Sequence, residues 1–172
     1  MRVGIFLSVV LLVSAGCAST YRHSHHAIQA QKLNPAAGVL ILVPTDGWYG
    51  SIRYPDSGIM TVRAIEAAFS KRAKRVGVVR DCDLEECLKA IDVERYGYFV
   101  WPKILHWEER ATEWSGKPDR IEIQITIYDT KTKQQIAKSS YTGKSKWATF
   151  GGDHPQDLLP EPTNAYVSSL YR

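Results

Sequence analysis

Isoleucine occupies every second position between residues 121 and 127, and this alternation constrains the fold more than any other feature. The residues between the isoleucines are polar. Since successive side chains of a strand point to opposite faces, the pattern predicts an antiparallel strand with one face on a core and the other in water. Residues 98–107 predict the preceding strand of a hairpin, in which Pro102 indicates a bulge or an edge position. We expect helices earlier and later in the chain to cover the isoleucines.

The remaining segments predict further strands and helices around this hairpin. The apolar run at residues 39–43 and the valine-rich residues 75–80 predict two strands, and residues 135–144 predict a third strand of the hairpin. Helical spacing predicts helices at residues 59–73 and 83–94, and a last helix near Pro162. The order β-α-β-α-β-β-β-α predicts an α/β (α+β) fold, with a single mixed sheet of about five strands and helices packed on it.

The first 16 residues indicate export. Arg2 is followed by an apolar run at residues 3–13, which is too short for a bilayer span of roughly 20 apolar residues and fits a secretory signal peptide. Small residues then lead to Cys17. This pattern resembles a bacterial lipoprotein signal, in which the cysteine carries acyl chains such as palmitate and becomes the first mature residue. Ser14 stands where such signals most often carry leucine.

The lipoprotein interpretation predicts a location. Alanine rather than aspartate follows Cys17, which implies sorting to the cell outer membrane, on its periplasmic face. We therefore expect a signal peptide at 1–16, a flexible tether at 17–36 and a single α/β domain at 37–172. The alternatives are ordinary signal cleavage, which would release a free periplasmic protein, and an uncleaved leader. The histidines of the tether could form a metal site. We favour a solvated cluster instead, because a flexible tail provides no rigid geometry for a metal ion.

Two cysteines of the mature chain are placed to form a disulfide. Asp83 and Glu86 have the spacing of a capping box, which predicts that Asp83 is the N-cap of the helix. Cys82 then precedes the cap and Cys87 is the fourth helical residue, and these two positions touch in a hydrophobic staple. Export permits oxidation. Redox catalysis and metal binding are weaker interpretations, because the spacing is not CxxC.

Charge and motifs exclude several classes of function. The formal net charge of +4 is too small to indicate a nucleic-acid partner. Four basic residues at 71–75 suit the end of a helix, and a patch for anionic lipid or glycan is the alternative. Neither a P-loop nor a GxGxxG motif is present, and no GxSxG or HExxH motif indicates a hydrolase. We expect no cofactor and no metal. A zinc site would require His106 and His154 to converge with a carboxylate.

Three segments carry a family resemblance: PTDGWYG at 44–50, ILHWEERATEWSG at 104–116 and WATFGGDHPQDLLP at 147–160. Together with the leader they resemble a family of uncharacterised proteobacterial outer-membrane lipoproteins, a domain of unknown function. The resemblance implies no catalytic residue. The element order is more loosely similar to the curli-secretion lipoprotein and the TolB N-terminal domain, which act by binding other envelope components.

These segments supply the candidate site residues. The partner-binding candidates are Trp48, Tyr49, Glu108, Arg110, Glu113, Trp114, Asp153 and His154. The competing interpretation is structural: the carboxylates form ion pairs, the tryptophans complete the core, and Trp48 packs on the core from a rigid turn. For Trp48 we favour this structural interpretation.

We expect a non-enzymatic lipoprotein that binds an envelope protein or a glycan such as peptidoglycan. The alternative is a membrane-tethered glycan hydrolase that uses paired carboxylates. Two facing carboxyl groups roughly 5–9 Å apart in an open cleft would favour the hydrolase. Carboxylates paired with arginines would count against it.

Overall fold

The computed structural model describes residues 19–25, 32–110, 117–145 and 154–171. The predicted signal peptide and Cys17 lie outside the described residues, as do Glu113, Trp114 and Asp153.

The described chain forms eight strands, three α-helices and one 3-10 helix. They are β1 (Thr20–His25), β2 (Val39–Leu42), β3 (Trp48–Tyr49), β4 (Ile52–Arg53), α1 (Ser57–Phe69), β5 (Val76–Val79), α2 (Leu84–Ala90), β6 (Tyr98–Glu108), β7 (Arg120–Asp129), β8 (Gln135–Lys144), the 3-10 helix (Pro155–Leu158) and α3 (Pro160–Tyr171). Six strands form one sheet in the order β1-β8-β7-β6-β2-β5, and β3 and β4 form a separate hairpin. Strand β2 runs parallel to β5 and β6, and the other pairs are antiparallel. The predicted mixed α+β fold is confirmed.

The first face of the sheet carries the main core. All four isoleucines of β7 are at most 1% exposed, which confirms the buried face. Helices α1 and α3 cover them, with Ile65 and Phe69 from α1 and Val167 and Leu170 from α3 in the same cluster. The 3.6-residue spacing of apolar residues on these helices places one stripe on the sheet.

The second face carries a smaller cluster. Helix α2 packs over Leu42 and Phe99 through Leu88, and this cluster reaches β7 at Tyr128. Beyond Tyr128, the second face of β7 continues with the polar residues that alternate with the isoleucines. Glu122 and Gln124 are half-buried and Thr126 is 3% exposed. The face is therefore polar, as predicted, but the expectation that it lies in water is wrong for Thr126.

Strand β1 corrects the prediction of a flexible tether at 17–36. Residues 20–25 pair antiparallel with β8, from Thr20 opposite Lys144 to His25 opposite Ser139. Leu33 is also buried, and its N–H donates to the carbonyl of Leu170 at 2.9 Å. The unpaired N–H and C=O groups of a sheet edge can bind another strand through its backbone alone. Such a strand needs no apolar side chains, and residues 20–25 therefore lack the alternating pattern that would have predicted it.

The predicted disulfide is present between Cys82 and Cys87, whose Cα atoms are 5.6 Å apart. Asp83 caps α2: its Oδ1 accepts the N–H of Glu86 at 2.9 Å, and Glu86 Oε2 accepts the N–H of Asp83 at 3.1 Å. Both hydrogen bonds of the capping box are therefore formed. The helix ends at Ala90, earlier than predicted, because Ile91 adopts an extended backbone.

Candidate functional site

The β3–β4 hairpin turns its aromatic residues toward solvent. Trp48 is 56% exposed, Tyr49 43% and Ile52 57%. The interpretation that Trp48 packs on the core is therefore wrong. The core position beside the hairpin belongs to Trp107, which is 2% exposed. A Cβ atom on Gly47 would lie 2.5 Å from the Cβ of Trp107, so the backbone at Gly47 packs directly against Trp107 and leaves no room for a side chain at position 47.

The partly buried carboxylate of Asp46 holds this hairpin in place. Asp46 Oδ2 pairs with Arg53 at 2.8 Å, and its Oδ1 accepts the N–H of Gly58 at 3.0 Å in the first turn of α1. The N–H of Gly47 donates to Ser57 Oγ at 2.8 Å. The hairpin is thus fixed to the start of α1 rather than hanging from a free loop. Sequence analysis did not single out Asp46, although an Asp-Gly pair is a turn signal.

A β-bulge in β6 adds a fourth apolar side chain. The register with β7 shifts between Ile104 and His106, and Leu105, which lies in the bulge, is 47% exposed. The next residue, His106, contacts the Tyr49 ring edge-on, with centroids 5.2 Å apart. We call Trp48, Tyr49, Ile52 and Leu105 the apolar patch. Single exposed apolar residues are ordinary, whereas several on neighbouring segments of the chain are a candidate interaction surface.

Beside the apolar patch, the end of β6 carries a buried ion pair. Glu108 is 3% exposed and forms an ion pair with Arg110. His106 Nε2 lies 3.3 Å from Glu108 Oε2. Among the described residues, Glu108 therefore has a cation on one oxygen and an imidazole on the other. Its role is to hold the end of β6.

Asp119 ties the start of β7 into the same network. Its Oδ1 accepts the backbone N–H of Arg110 at 2.6 Å, and its own N–H donates to Ser145 Oγ at 2.9 Å. Burial raises the pKa of Asp119, and the hydrogen bond from Arg110 opposes that shift.

His154 is brought to this end of the sheet by the 3-10 helix. Its Nδ1 lies 3.1 Å from Glu109 Oε1, and both side chains are substantially exposed. The structure thus brings Glu108, Arg110 and His154 into one neighbourhood, while Trp48 and Tyr49 lie on the hairpin next to it. Glu113, Trp114 and Asp153, the remaining partner-binding candidates, lie outside the described residues.

The two neighbouring carboxylates at the end of β6 both form ion pairs. Glu108 is paired with an arginine and Glu109 with a histidine, and a glycan hydrolase needs two carboxyl groups that face each other across an open cleft. Within the described ranges, no three His, Cys, Asp or Glu side chains are grouped to hold a metal ion. None of the helices in those ranges is long and apolar enough to cross a membrane.

A shallow cationic pocket lies at the opposite end of the sheet. Lys74, Arg75, Arg95 and Lys131 line it, and Lys131 Nζ lies 3.8 Å from Glu94 Oε1. The other two basic residues predicted at the end of α1 bond to α3 instead: Lys71 to Asn164 at 2.8 Å and Arg72 to Ser168 at 3.1 Å. The basic cluster is therefore divided between helix packing and this pocket.

Sequence comparison identifies the family. Residues 31–170 match a family described as a domain of unknown function, DUF4823. The chain belongs to this family. This confirms the resemblance to an uncharacterised family that segments 44–50, 104–116 and 147–160 suggested. Among curated proteins, no sequence matches the chain.

Solved structures share the fold of this DUF4823 protein. The PelC dodecamer from Paraburkholderia phytofirmans superposes with a TM-score of 0.67 at 10% identity, over 90% of this chain and 99% of that one. Protein XCC0632 from Xanthomonas campestris, of family DUF330, has a TM-score of 0.50 at 15% identity, over 79% and 86%. Lipoprotein GNA1162 from Neisseria meningitidis has a TM-score of 0.40 at 13% identity, over 77% and 96%. At these identities the first two show the fold alone.

Proposed function

We propose that this DUF4823 protein is a lipid-anchored lipoprotein of the outer membrane that faces the periplasm and acts by binding another envelope protein through the apolar patch. The observation that carries the proposal is the exposure of Trp48, Tyr49, Ile52 and Leu105 on one fixed hairpin and the adjoining bulge. Tryptophan and tyrosine are enriched among the residues that carry most of the binding energy at protein interfaces.

The leader and the disulfide support export and anchoring. The apolar run of the leader ends at residue 13, and three small residues lead from it to Cys17, as in a lipoprotein signal. The Cys82–Cys87 disulfide suits an oxidising compartment such as the periplasm.

The side chains of the apolar patch favour a protein over a glycan. Sugars stack on aromatic rings but also need polar groups for their hydroxyls, and Ile52 and Leu105 offer none. The carboxylates near the patch are already paired with basic side chains, which supports binding rather than hydrolysis. Because the PelC structure is described as a dodecamer, a second copy of this chain is one candidate partner.

Site-specific photocrosslinking in intact cells tests this proposal. A photoreactive residue at position 52 or 105 is expected to give a discrete protein adduct, and Trp48→Ala is expected to abolish it. The matched control is position 78, because Val78 is also exposed and apolar but lies on β5, away from the hairpin. Equal adducts from position 78, or binding of isolated peptidoglycan that depends on Trp48, would contradict the protein-binding proposal.

Lipid attachment is tested separately. The amino-terminal peptide of the membrane fraction is expected to carry acyl chains on Cys17, and Cys17→Ser is expected to release the protein from that fraction. A freely soluble wild-type protein with an unmodified terminus would contradict the anchoring.

A further inference from the structure

The distance between the lipid anchor and the sheet is short. Strand β1 begins at Thr20, three residues after Cys17. A residue spans at most about 3.6 Å of extended chain, so the Cα atoms of Cys17 and Thr20 lie within about 11 Å of each other. A cysteine anchored in lipid therefore brings the beginning of β1 to the membrane surface.

The beginning of β1 opens a row of paired residues that crosses four strands. Thr20 is opposite Lys144, Lys144 is opposite Arg120, and Arg120 is opposite Glu108. Arg22 lies two residues further along β1, opposite Thr142. Neighbouring strands are about 4.8 Å apart, which places Lys144 and Arg120 about 5 and 10 Å from Thr20.

This row has an uncompensated positive charge. Arg22, Arg120 and Lys144 are exposed, and none of them forms an ion pair with another described residue. Glu108 is paired with Arg110, and Glu109 with His154. Glu122, which is half-buried and lies two residues from Arg120 on β7, adds one negative charge, so that the three cations and Glu122 sum to +2. We call Arg22, Arg120 and Lys144 the basic row.

We infer that the basic row lies against the anionic headgroups of the membrane in which Cys17 is anchored. This inference rests on the proposed lipid attachment. The three cations lie within about one Debye length, roughly 8–10 Å, of the beginning of β1. Each lysine or arginine near an anionic surface raises membrane affinity by about fivefold.

The orientation follows from the length of the strands. Strand β7 has 10 residues from Arg120 to Asp129, and a strand rises about 3.3 Å per residue. The β7–β8 turn at Lys131 and the cationic pocket around it therefore lie about 30 Å from the basic row. They point away from the membrane.

The first experiment measures depth with the acylated full-length protein in vesicles of phosphatidylethanolamine with about one-third phosphatidylglycerol. Lys144→Cys and Lys131→Cys each replace one exposed lysine with a cysteine for a spin label. The label at position 144 is expected to be protected from a water-soluble relaxation agent, and the label at position 131 to remain accessible. Equal accessibility at the two positions would overturn the inference.

The second experiment uses the unacylated Cys17→Ser chain, so that binding depends on charge alone. We expect it to prefer anionic over purely zwitterionic vesicles and to dissociate in high salt. Changing Arg22, Arg120 and Lys144 to glutamate is expected to weaken binding at least about 100-fold. The matched control changes three cations of the opposite pocket, Lys74, Arg95 and Lys131, to glutamate and is expected to change binding little.

The outcomes separate the inference from the proposed function. Greater loss in the pocket variant than in the basic-row variant, or no preference for anionic vesicles, would overturn the orientation. An unmodified Cys17 in cells would overturn the anchoring, whatever the vesicles show. Folding of each variant is checked by its urea unfolding transition.

Discussion

At the scale of single residues, the buried Glu108 shows how the candidate site was only partly predictable. The sequence indicates Glu108 and Arg110 as candidates, either for a binding surface or for an ion pair. The structure forms the ion pair. The identity of the residue that fills the core beside the hairpin was not predictable, because Trp48 and Trp107 are equally apolar. In the structure Trp107 is 2% exposed and packs against the backbone of Gly47, while Trp48 is 56% exposed.

We expect Glu108→Gln to destabilise the protein by about 3 kcal/mol, because Arg110 would keep its charge in a largely buried position without a counterion. Glu109→Gln is the matched control. It removes a largely exposed pair with His154 and is expected to cost at most about 1 kcal/mol. Urea unfolding of both variants gives the comparison, and equal costs would contradict the assigned role of Glu108.

Asp119 predicts a pH dependence of stability. Burial raises the folded-state pKa of Asp119 above its ordinary value of 3.8. The folded state therefore holds the proton more tightly than the unfolded state, and the contribution of Asp119 to stability falls as pH rises from about 3.8 through the folded pKa. Asp119→Asn removes this titration and keeps an acceptor for the Arg110 N–H.

We therefore expect Asp119→Asn to be more stable relative to wild type at pH 7 than at pH 4. Unfolding free energies at both pH values measure the difference. A constant difference would show that Asp119 does not titrate between these values.

At the scale of elements, α2 and β1 mark what the sequence pattern can and cannot indicate. The capping box and the cysteine positions predicted the start of α2 and its disulfide, because both depend on contacts within five residues. The partner of β1 lies about 120 positions later in the chain. Its side chains show no apolar alternation, so only the open edge of β8 determines that residues 20–25 form a strand.

The disulfide closes a loop of few residues, and chain-entropy reasoning gives it about 2 kcal/mol. We expect Cys82→Ala with Cys87→Ala to lower the unfolding free energy by that amount, measured in urea. Photocrosslinking from the apolar patch is expected to persist in this variant. Loss of the adduct would place α2 in the partner-binding surface.

Deleting residues 18–25 is expected to expose the outer edge of β8. Hydrogen exchange of the β8 amides that pair with β1 should then accelerate, while β7 amides stay protected between β6 and β8. The Arg22→Ala variant, which keeps the backbone of β1, is the control. Unchanged protection of β8 after the deletion would contradict the β1–β8 pairing.

At the scale of the whole molecule, the sheet separates three surfaces. The basic row lies at the end where β1 begins, the cationic pocket lies at the other end, and the apolar patch lies along the outer edge of β6. Strand β2 pairs only with residues 98–100 of β6. The rest of that edge remains for the hairpin and the bulge, and this leaves Leu105 exposed.

The early start of β1 has a consequence for how a partner is met. With Cys17 acylated, only three residues separate the anchor from β1. The domain can then diffuse laterally in the leaflet but stays next to the membrane. A partner held in the same leaflet is then found by a search in two dimensions, at a high local concentration. A partner fixed deeper in the envelope is reachable only if it extends to the bilayer itself.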